Sequence, residues 1–293
     1  MSSVLTLIAD PAKRNLSRAQ AEAAAAAIGA SDISWLAEDL ACDLFFAGPS
    51  LAEAEAAARQ ALGEAPLDLA AQPLAGRLKR LLVADMESTI IQQEMIDELA
   101  GFLGLREEMA EVTARTMAGE LDFESSLRAR VAKLAGLPLE RLEEAAEGMT
   151  FMPGARKTVA TLRAQGTVTA LVSGGFTYFA DMVAKACGFD QMQANQLIER
   201  DGKLSGEVAE PILGRDAKLK ALLTLAEELG CTPQEAVAVG DGANDLAMLE
   251  AAGLGVAFRA KPRVRDAARF RIDHGDLTAL LYLQGIPERA FAA

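Results

Sequence analysis

Residues 81–84 form a short apolar run, Leu-Leu-Val-Ala, and two acids follow it directly, Asp85 and Glu87. A run of this length and composition is typical of a strand buried on both faces of a parallel sheet. In open α/β sheets, ligands bind beyond the carboxyl ends of the strands, which is where these acids stand. Side chains two residues apart in extended chain share a face, so both carboxylates can point to one site. Taken alone, the stretch fits a strand that ends in solvated acids equally well.

Composition excludes several classes of function. The chain has 293 residues, enough for one large and one small domain, and a formal net charge of −13. This charge argues against nucleic acid and against anionic membranes as partners. The three cysteines lie far apart without a Cys-x-x-Cys motif, and His274 is the only histidine, so a zinc site, a disulfide set and a histidine-based triad are disfavoured. With no signal peptide and no membrane-length apolar run, we expect a cytoplasmic protein.

The N-terminal residues, 1–75, alternate short strands and helices. Ser17 and Ser50 are each followed three residues later by Gln20 or Glu53, the capping-box spacing that starts a helix. Strands are predicted at residues 4–9, 33–36, 43–47 and 67–71. The order βαββαβ predicts a small ferredoxin-like module, which ends before the boundary marked by Pro73 and Gly76. Regulatory binding, dimerisation and structural support all remain open as its role.

Residues 94–147 carry helical periodicity without strand signals. This segment is too long for a plain crossover between two strands. We therefore predict an inserted helical cap at about residues 94–150. Met117, Phe123 and Arg130 could fall near one another within it. Taken singly, the first two are more often core residues and Arg130 more often belongs to a solvated helix face.

Two further strand ends carry groups that suit an anion. A predicted strand at residues 167–172 leads into Ser173, Gly174 and Gly175, where a hydroxyl and backbone N–H groups can approach an anion. After a predicted hairpin of residues 193–198 and 203–208, Lys218 lies in the first turn of a predicted helix at residues 216–229. The helix dipole disfavours a cation there, and an anion in front of Lys218 would remove that anomaly.

The strand predicted at residues 236–239 runs into Gly-Asp-Gly-Ala-Asn-Asp, with Asp241, Asn244 and Asp245 close together. Such a density of oxygen ligands suits Mg²⁺, a hard cation that bridges to phosphate. The glycine spacing does not match a dinucleotide-binding loop. A turn without any ligand would explain this motif equally well if it stood alone.

Four strand ends thus carry an acid pair, a hydroxyl-glycine turn, a lysine and an acidic turn, in that order. From Leu81 to the C-terminus this arrangement resembles the haloacid dehalogenase superfamily, and the runs Asp-Met-Glu-Ser-Thr-Ile-Ile-Gln-Gln-Glu and Val-Ser-Gly-Gly-Phe resemble its phosphoserine phosphatases. The resemblance implies an α/β fold: a Rossmann-like parallel sheet over residues 76–293 with an inserted helical cap. It also makes residues 1–75 similar to the ACT-like α+β domains that precede some members.

The resemblance further implies an Mg²⁺-dependent hydrolysis of O-phospho-L-serine, the final step of serine biosynthesis. Asp85 would be the nucleophile and Glu87 the acid and base. The implied metal site consists of Asp85, Glu87 through its backbone carbonyl, Asp241 and Asp245. The implied substrate-binding residues are Ser173, Gly174 and Lys218 for the phosphoryl group, Glu94 for the ammonium, Arg130 for the carboxylate, and Met117, Phe123 and Asn244. A homodimer through the N-terminal module is one further expectation.

Glu87 departs from the family pattern, which usually has a second Asp at this point. The intrinsic pKa differs by only about 0.4 unit. The extra methylene adds about 1.5 Å of reach, and a misplacement of about 1 Å can cost about 100-fold in rate. Three alternatives therefore stay open: a phosphoserine:homoserine phosphotransferase, a non-catalytic sensor of phosphoserine or serine, and a phosphatase of other specificity.

Overall fold

The structure is a computed structural model that describes residues 3–292, with residue 215 described through its backbone alone. The chain begins with six elements in the predicted order βαββαβ. They are β1 (Ser3–Ile8), α1 (Arg18–Ile28), β2 (Asp32–Ala37), β3 (Ala41–Phe46), α2 (Leu51–Leu62) and β4 (Asp68–Pro73). The four strands form an antiparallel sheet in the order β2-β3-β1-β4, which confirms the ferredoxin-like prediction. Both helices begin after the predicted serines, each within a complete capping box.

The remainder of the chain alternates strands and helices. Its elements are β5 (Leu81–Ala84), α3 (Met95–Gly101), α4 (Arg106–Met117), α5 (Phe123–Ala132), α6 (Glu140–Glu147), α7 (Ala155–Ala164), β6 (Val168–Phe176), α8 (Thr177–Cys187), β7 (Gln191–Asn195), β8 (Leu197–Arg200), β9 (Lys203–Val208), α9 (Arg215–Glu228), β10 (Ala236–Gly240), α10 (Leu246–Ala251), β11 (Leu254–Phe258), α11 (Pro262–Ala267), β12 (Phe270–Ile272) and α12 (Ala279–Leu283). Between residues 3 and 292, no helix is both long and apolar enough to cross a bilayer.

The described chain divides into two compact units. The first takes in the residues up to Lys79 together with Pro153–Thr167 and the residues from Phe270 onward, and the second takes in Arg80–Met152 and Val168–Arg269. The N-terminal strands thus share a unit with segments from the middle and the end of the chain. The division at residue 75 that we expected from the sequence stays a prediction.

Parallel strands form the centre of the second unit, in the order β11-β10-β5-β6-β7. Their register sets Ala84 of β5 opposite Leu171 of β6 and Val239 of β10, so the carboxyl ends of the three strands meet at one edge. Apolar side chains of these strands pack against α9 and α10, with Val83, Leu222 and Met248 fully buried. At about 1.5–3 kcal/mol for each large apolar side chain removed from water, this packing holds the strand ends in place. Helices α3 to α6 form the predicted insertion between β5 and β6.

Two local predictions were wrong. Strand β6 does not end at Val172 but continues to Phe176, with a register shift against β7 that absorbs Ser173, Gly174 and Gly175. Residues 193–195 belong to β7 of the parallel sheet, and only β8 pairs with β9 across the Asp201-Gly202 turn. More exposed and less exposed residues alternate along β7. A hairpin strand with one solvated face shows the same alternation, which is why the sequence pattern indicated a hairpin.

A buried polar network around Arg77 ties the first unit together. The Arg77 guanidinium donates to both carboxylate oxygens of Asp43, at 2.5 and 2.7 Å, and to the Thr6 hydroxyl at 2.8 Å. It also donates to the backbone carbonyls of Tyr282 and Leu283, at 2.8 and 2.7 Å. Arg77 and Asp43 are 7% and 2% exposed, so each charge depends on the other for compensation.

Replacing Arg77 with Ala should lower the free energy of unfolding by about 3–5 kcal/mol, because Asp43 would then be buried without a counter-charge. Urea denaturation followed by circular dichroism measures this. Arg18→Ala is the matched control, since Arg18 pairs with Glu38 where both side chains are more than half exposed, and it should shift the transition far less. Equal shifts for the two variants would contradict the importance assigned to the buried pair.

Candidate active site

Three buried carboxylates, those of Asp85, Asp241 and Asp245, converge at the carboxyl edge of the parallel strands. One oxygen from each lies within 4.8 Å of the others. The ammonium of Lys218 lies 2.6 Å from Asp85 Oδ1 and 2.5 Å from Asp245 Oδ1. These acids remove the anomaly of a lysine in the first turn of α9. The ammonium of Lys261 lies 3.7 Å from Asp241 Oδ2, so three carboxylates face two ammonium groups and negative charge remains in excess.

Glycines allow the acidic turn to close on itself. A Cβ atom on Gly240 would lie 2.3 Å from the Asp245 carboxyl carbon, so only glycine fits at the end of β10. The Gly242 N–H donates to Asp245 Oδ2 at 3.0 Å, while Thr89 donates to Asp241 Oδ1 at 3.5 Å. The turn therefore directs both aspartates toward the end of β5.

The pKa values in this cluster reflect burial and mutual repulsion. Burial, and then the charge of Asp245, raises the pKa of Asp85 to about 7, although Lys218 opposes the shift. Burial and the charges of Asp85 and Asp245 likewise raise the pKa of Asp241 well above its usual range. For Lys218, burial works against the charged form, yet the two carboxylates outweigh it and the pKa lies above its ordinary value. A bound cation would relieve this repulsion.

The residues present fit a divalent metal ion. The cluster offers only oxygen donors, the set preferred by hard cations. Beside it, Asn244 Oδ1 is buried and has no hydrogen-bond partner among the described residues. A buried acceptor without a partner is costly in a protein interior, and a metal ion or a ligand donor would satisfy it. The aspartates and Asn244 together can therefore hold a cation.

Glu87 lies in the turn after Asp85 and is fixed by two neighbours. Its Oε1 accepts the backbone N–H of Met95 at 2.8 Å. Its Oε2 lies against Gly175, where an added Cβ atom would come within 2.6 Å. Burial, and then the nearby Glu94 carboxylate, raises the pKa of Glu87 well above its usual range. A carboxyl group that keeps its proton near neutral pH can act as a general acid.

A pocket of about 420 Å³ opens in front of these acids. It is lined by Asp85, Glu87, Glu94, Ile96, Met117, Phe123, Leu127, Arg130, Gly174, Gly175, Phe176, Asp241 and Asn244. Arg130 is only 3% exposed, and Glu94, just before α3, accepts the Ser88 hydroxyl at 2.9 Å. The Phe123 ring touches Gly174 so closely that a Cβ atom there would lie 2.6 Å from Cζ. The pocket thus combines one cation, several acids and apolar walls.

Backbone and side-chain contacts fix the Ser-Gly-Gly segment. The hydroxyl of Ser173 accepts the Gly175 N–H at 2.9 Å. Asn195 donates from its side-chain amide to the Gly174 carbonyl at 2.8 Å and accepts the Leu213 N–H at 2.7 Å. Asn195 thereby connects the end of β7, the glycines and the segment before α9, and it holds Gly174 at the pocket wall.

Comparison with known proteins assigns this site to a family. Residues 82–250 match the model of the haloacid dehalogenase-like hydrolases. The chain belongs to the haloacid dehalogenase-like hydrolase family. The matched residues include the cap, Lys218 and all three aspartates.

Individual relatives of this hydrolase bear names that agree with one another. The chain is 46% identical over 213 residues to phosphoserine phosphatase SerB2 of Mycobacterium tuberculosis. The aligned region covers 73% of this chain and 52% of that relative. It thus spans about half the length of that curated relative. A crystal structure described as a probable phosphoserine phosphatase from Vibrio cholerae, unliganded, has a TM-score of 0.77 at 37% identity and covers 98% of this chain and 88% of that one. A structure described as a phospho-aspartyl intermediate analogue of phosphoserine phosphatase has a TM-score of 0.67 at 41% identity and covers 70% of this chain and 98% of that one.

Sequence reasoning singled out twelve residues of this haloacid dehalogenase-like site, and the structure brings them together. Nine of them line the pocket: Asp85, Glu87, Glu94, Met117, Phe123, Arg130, Gly174, Asp241 and Asn244. Ser173, Lys218 and Asp245 are buried beside them. The separate roles of these residues stay predictions. Sequence reasoning missed the packing of Gly175 against Glu87 and the contacts of Asn195; the second glycine of the Ser-Gly-Gly run was the only available signal.

Adding a divalent cation should raise the melting temperature of the protein, because the ion neutralises the excess charge of the cluster. At 100 times the dissociation constant the gain is about 2.7 kcal/mol, or about 5 °C or more. Differential scanning calorimetry with EDTA and then with added cation measures it. Asp241→Asn should abolish most of the shift, whereas Asp266→Asn, an exposed acid of α11, should retain it. A full shift in Asp241→Asn would rule out this cluster as the binding site.

Proposed function

We propose that this chain is an Mg²⁺-dependent phosphoserine phosphatase that hydrolyses O-phospho-L-serine to L-serine and phosphate. The observation that carries the proposal is the pocket itself. Its floor is a buried acid, Asp85, paired with Lys218, and its walls hold one buried cation, Arg130, near the acid Glu94. A zwitterionic phospho-amino acid needs a site for phosphate, one acid and one base, and the pocket offers all three. The names of the relatives support the same substrate.

Asp85 acts as the nucleophile in this proposal. Its carboxylate oxygen attacks phosphorus, the bond from phosphorus to the serine oxygen breaks, and an aspartyl-phosphate forms. Lys218, whose ammonium lies 2.6 Å from Asp85 Oδ1, stabilises the ionised form of Asp85 and lies where negative charge collects in the transition state. The relative described as a phospho-aspartyl intermediate analogue supports a covalent route of this kind.

Glu87 moves the proton in both steps. Because its pKa is raised, Glu87 carries a proton that it gives to the departing serine oxygen. The resulting carboxylate then takes a proton from water, which attacks phosphorus and breaks the bond to Asp85. The Met95 N–H holds the side chain in one position throughout. This fixed position supports a working Glu87 despite its extra methylene.

Mg²⁺ is the metal that we assign to the acidic cluster. Asp85, Asp241, Asp245 and the backbone carbonyl of Glu87 would hold it, with Asn244 beside them. When bound, the ion neutralises the excess charge of the cluster and draws electron density from a phosphoryl oxygen. The carboxylates of the cluster outnumber the ammonium groups of Lys218 and Lys261, and this excess of negative charge favours a cation.

The remaining pocket residues bind the substrate. Ser173, the Gly174 N–H and Lys218 receive the phosphoryl oxygens, and Glu94 receives the substrate ammonium. Arg130 receives the carboxylate, for which its planar fork is suited. Met117 and Phe123 cover the substrate and exclude water.

The proposal extends to the setting of the reaction. We place the chain at the final step of serine biosynthesis, in the cytoplasm, with a small molecule rather than nucleic acid or membrane as its partner. A homodimer through the N-terminal module is part of the same proposal. The phosphotransferase and sensor alternatives share the pocket, so the reaction products decide among them.

Asp85→Asn should abolish phosphate release from O-phospho-L-serine, because the amide keeps the shape of the side chain but is no longer a nucleophile. Release of inorganic phosphate in Mg²⁺ measures the effect, with Asp266→Asn as a control that should match the unmodified protein. Residual activity above about 1% in Asp85→Asn would refute the assigned nucleophile. If the unmodified protein transfers phosphate to added homoserine, or binds phosphoserine without turnover, the hydrolase proposal fails in favour of the respective alternative.

Gly175→Ala should lower kcat by about 10-fold to 100-fold, because the new methyl group displaces the Glu87 carboxylate by about 1 Å. Gly148→Ala is the matched control, since a Cβ atom there meets only one atom, at an ordinary 3.5 Å. The double variant Gly175→Ala/Glu87→Asp should recover part of the lost rate, since the shorter acid avoids the methyl group. If Gly175→Ala retains full activity, the contact with Glu87 does not position it.

A further inference from the structure

A chain of three buried side chains links three helices of the cap. Arg130 of α5 donates from Nη1 to the Thr113 hydroxyl of α4 at 2.9 Å. The Thr113 hydroxyl in turn donates to Asp97 Oδ1 of α3 at 2.7 Å. Asp97, Thr113 and Arg130 are 9%, 3% and 3% exposed, so water cannot readily replace either bond.

The direction of this hydrogen-bond chain is fixed by its two ends. Arginine only donates, so the Thr113 oxygen must accept from Arg130, and its single hydrogen must go to another acceptor. Burial raises the pKa of Asp97 to about 6, so at neutral pH the carboxylate is mostly ionised and accepts that hydrogen. The three groups therefore have one consistent arrangement, which we call the relay.

The relay leaves much of the Arg130 guanidinium free for a ligand. Besides Nη1, its Nε donates to the Ser126 carbonyl at 3.3 Å, one turn back in α5. The other three N–H bonds have no partner within the described part of the chain. Glu87, Glu94 and Asp97 all attract the Arg130 charge, yet no described carboxylate comes within the 4.0 Å of an ion pair. The guanidinium is thus held apart from acids that would otherwise neutralise it.

We propose that Thr113, fixed by Asp97, is a positioning residue that holds Arg130 away from the pocket acids and presents its free N–H groups to the substrate carboxylate. This inference rests on the proposed function, in which Arg130 receives that carboxylate. Thr113 itself touches no substrate. It acts only through Arg130, and so it sets specificity for a substrate that carries a carboxylate.

Three variants of α4 separate the relay from simple packing. Thr113→Val keeps the shape of the side chain and removes its oxygen, whereas Thr113→Ser keeps the oxygen. Thr116→Val is the matched control: Thr116 is also buried in α4, but its hydroxyl bonds to the Val112 carbonyl at 2.8 Å and to Ser126 Oγ at 2.6 Å. Both valine variants remove one buried hydroxyl, and only one of them breaks the relay.

Two ligands report on the carboxylate contact. The KM for O-phospho-L-serine is measured alongside the inhibition constant of O-phosphoethanolamine, which has the ammonium and the phosphate but no carboxylate. In Thr113→Val the KM should rise about 10-fold or more, as expected for losing a hydrogen bond to a charged group, while the inhibition constant stays within about twofold. Thr113→Ser should restore the KM, and Thr116→Val should leave both constants nearly unchanged. Equal changes for the two ligands, or no rise in KM, would overturn the relay.

Nuclear magnetic resonance of the arginine side chains tests the relay without turnover. The Arg130 Nε and Nη signals, assigned by their loss in Arg130→Lys, should shift and exchange faster in Thr113→Val but not in Thr116→Val. Unchanged signals in Thr113→Val would refute the relay even if the enzyme is active. Conversely, absence of phosphate release by the unmodified protein, with the expected signal changes, would refute the proposed function and leave the relay standing.

Discussion

Mutual repulsion among Asp85, Asp241 and Asp245 is the physical constraint on which the second unit depends. Charges this close in a protein interior repel strongly, and the two ammonium groups of Lys218 and Lys261 do not compensate all three. The strands cannot relax away from the repulsion, because Ala84 and Val239 are locked in register and the sheet is packed against α9 and α10. The apolar core therefore keeps the acids in an arrangement that they would not adopt alone, and that arrangement is ready for a cation.

Helix α3 connects three parts of the pocket that differ in chemistry. Glu94 precedes its first residue and lies at the pocket wall, the Met95 N–H holds Glu87, and Asp97 reaches Arg130 through Thr113. Less than one turn of chain thus fixes Glu87, Glu94 and, through Thr113, Arg130, the residues to which we assign proton transfer and binding of the substrate ammonium and carboxylate. A small shift of α3 would move Glu87, Glu94 and Arg130 together. A change in the cap would therefore affect the proposed proton transfer and the proposed substrate recognition at the same time.

Structure could be predicted from the sequence where it follows from a local rule. The capping boxes at Ser17 and Ser50 fixed two helix starts, and the rule that parallel strands place their chemistry at carboxyl ends brought Asp85, Ser173 and Asp241 to one edge. Prediction from the sequence failed where the local structure depends on residues that are close in space but distant along the chain. The glycines after Ser173 suggested a turn, but β6 continues through them and pairs with β7 again at Phe176. Asn195 and Thr113 could not be found, because their partners lie 16 to 21 residues away and no spacing rule links them.

The first unit is built from both ends of the chain, and this has a consequence for its biosynthesis. The Gln72 side chain donates to the Leu283 carbonyl, 211 residues later, and the Asp68 carboxylate accepts the N–H groups of residues 273–275. At the usual speed of translation, a ribosome needs roughly 10–40 s to make 200 residues. The N-terminal strands therefore lack these partners on the ribosome until residues 273–283 have been added. During that interval the chain exposes backbone and side-chain groups of this sheet that residues 273–283 later bind, whereas Arg80–Met152 and Val168–Arg269 of the other unit are already synthesised.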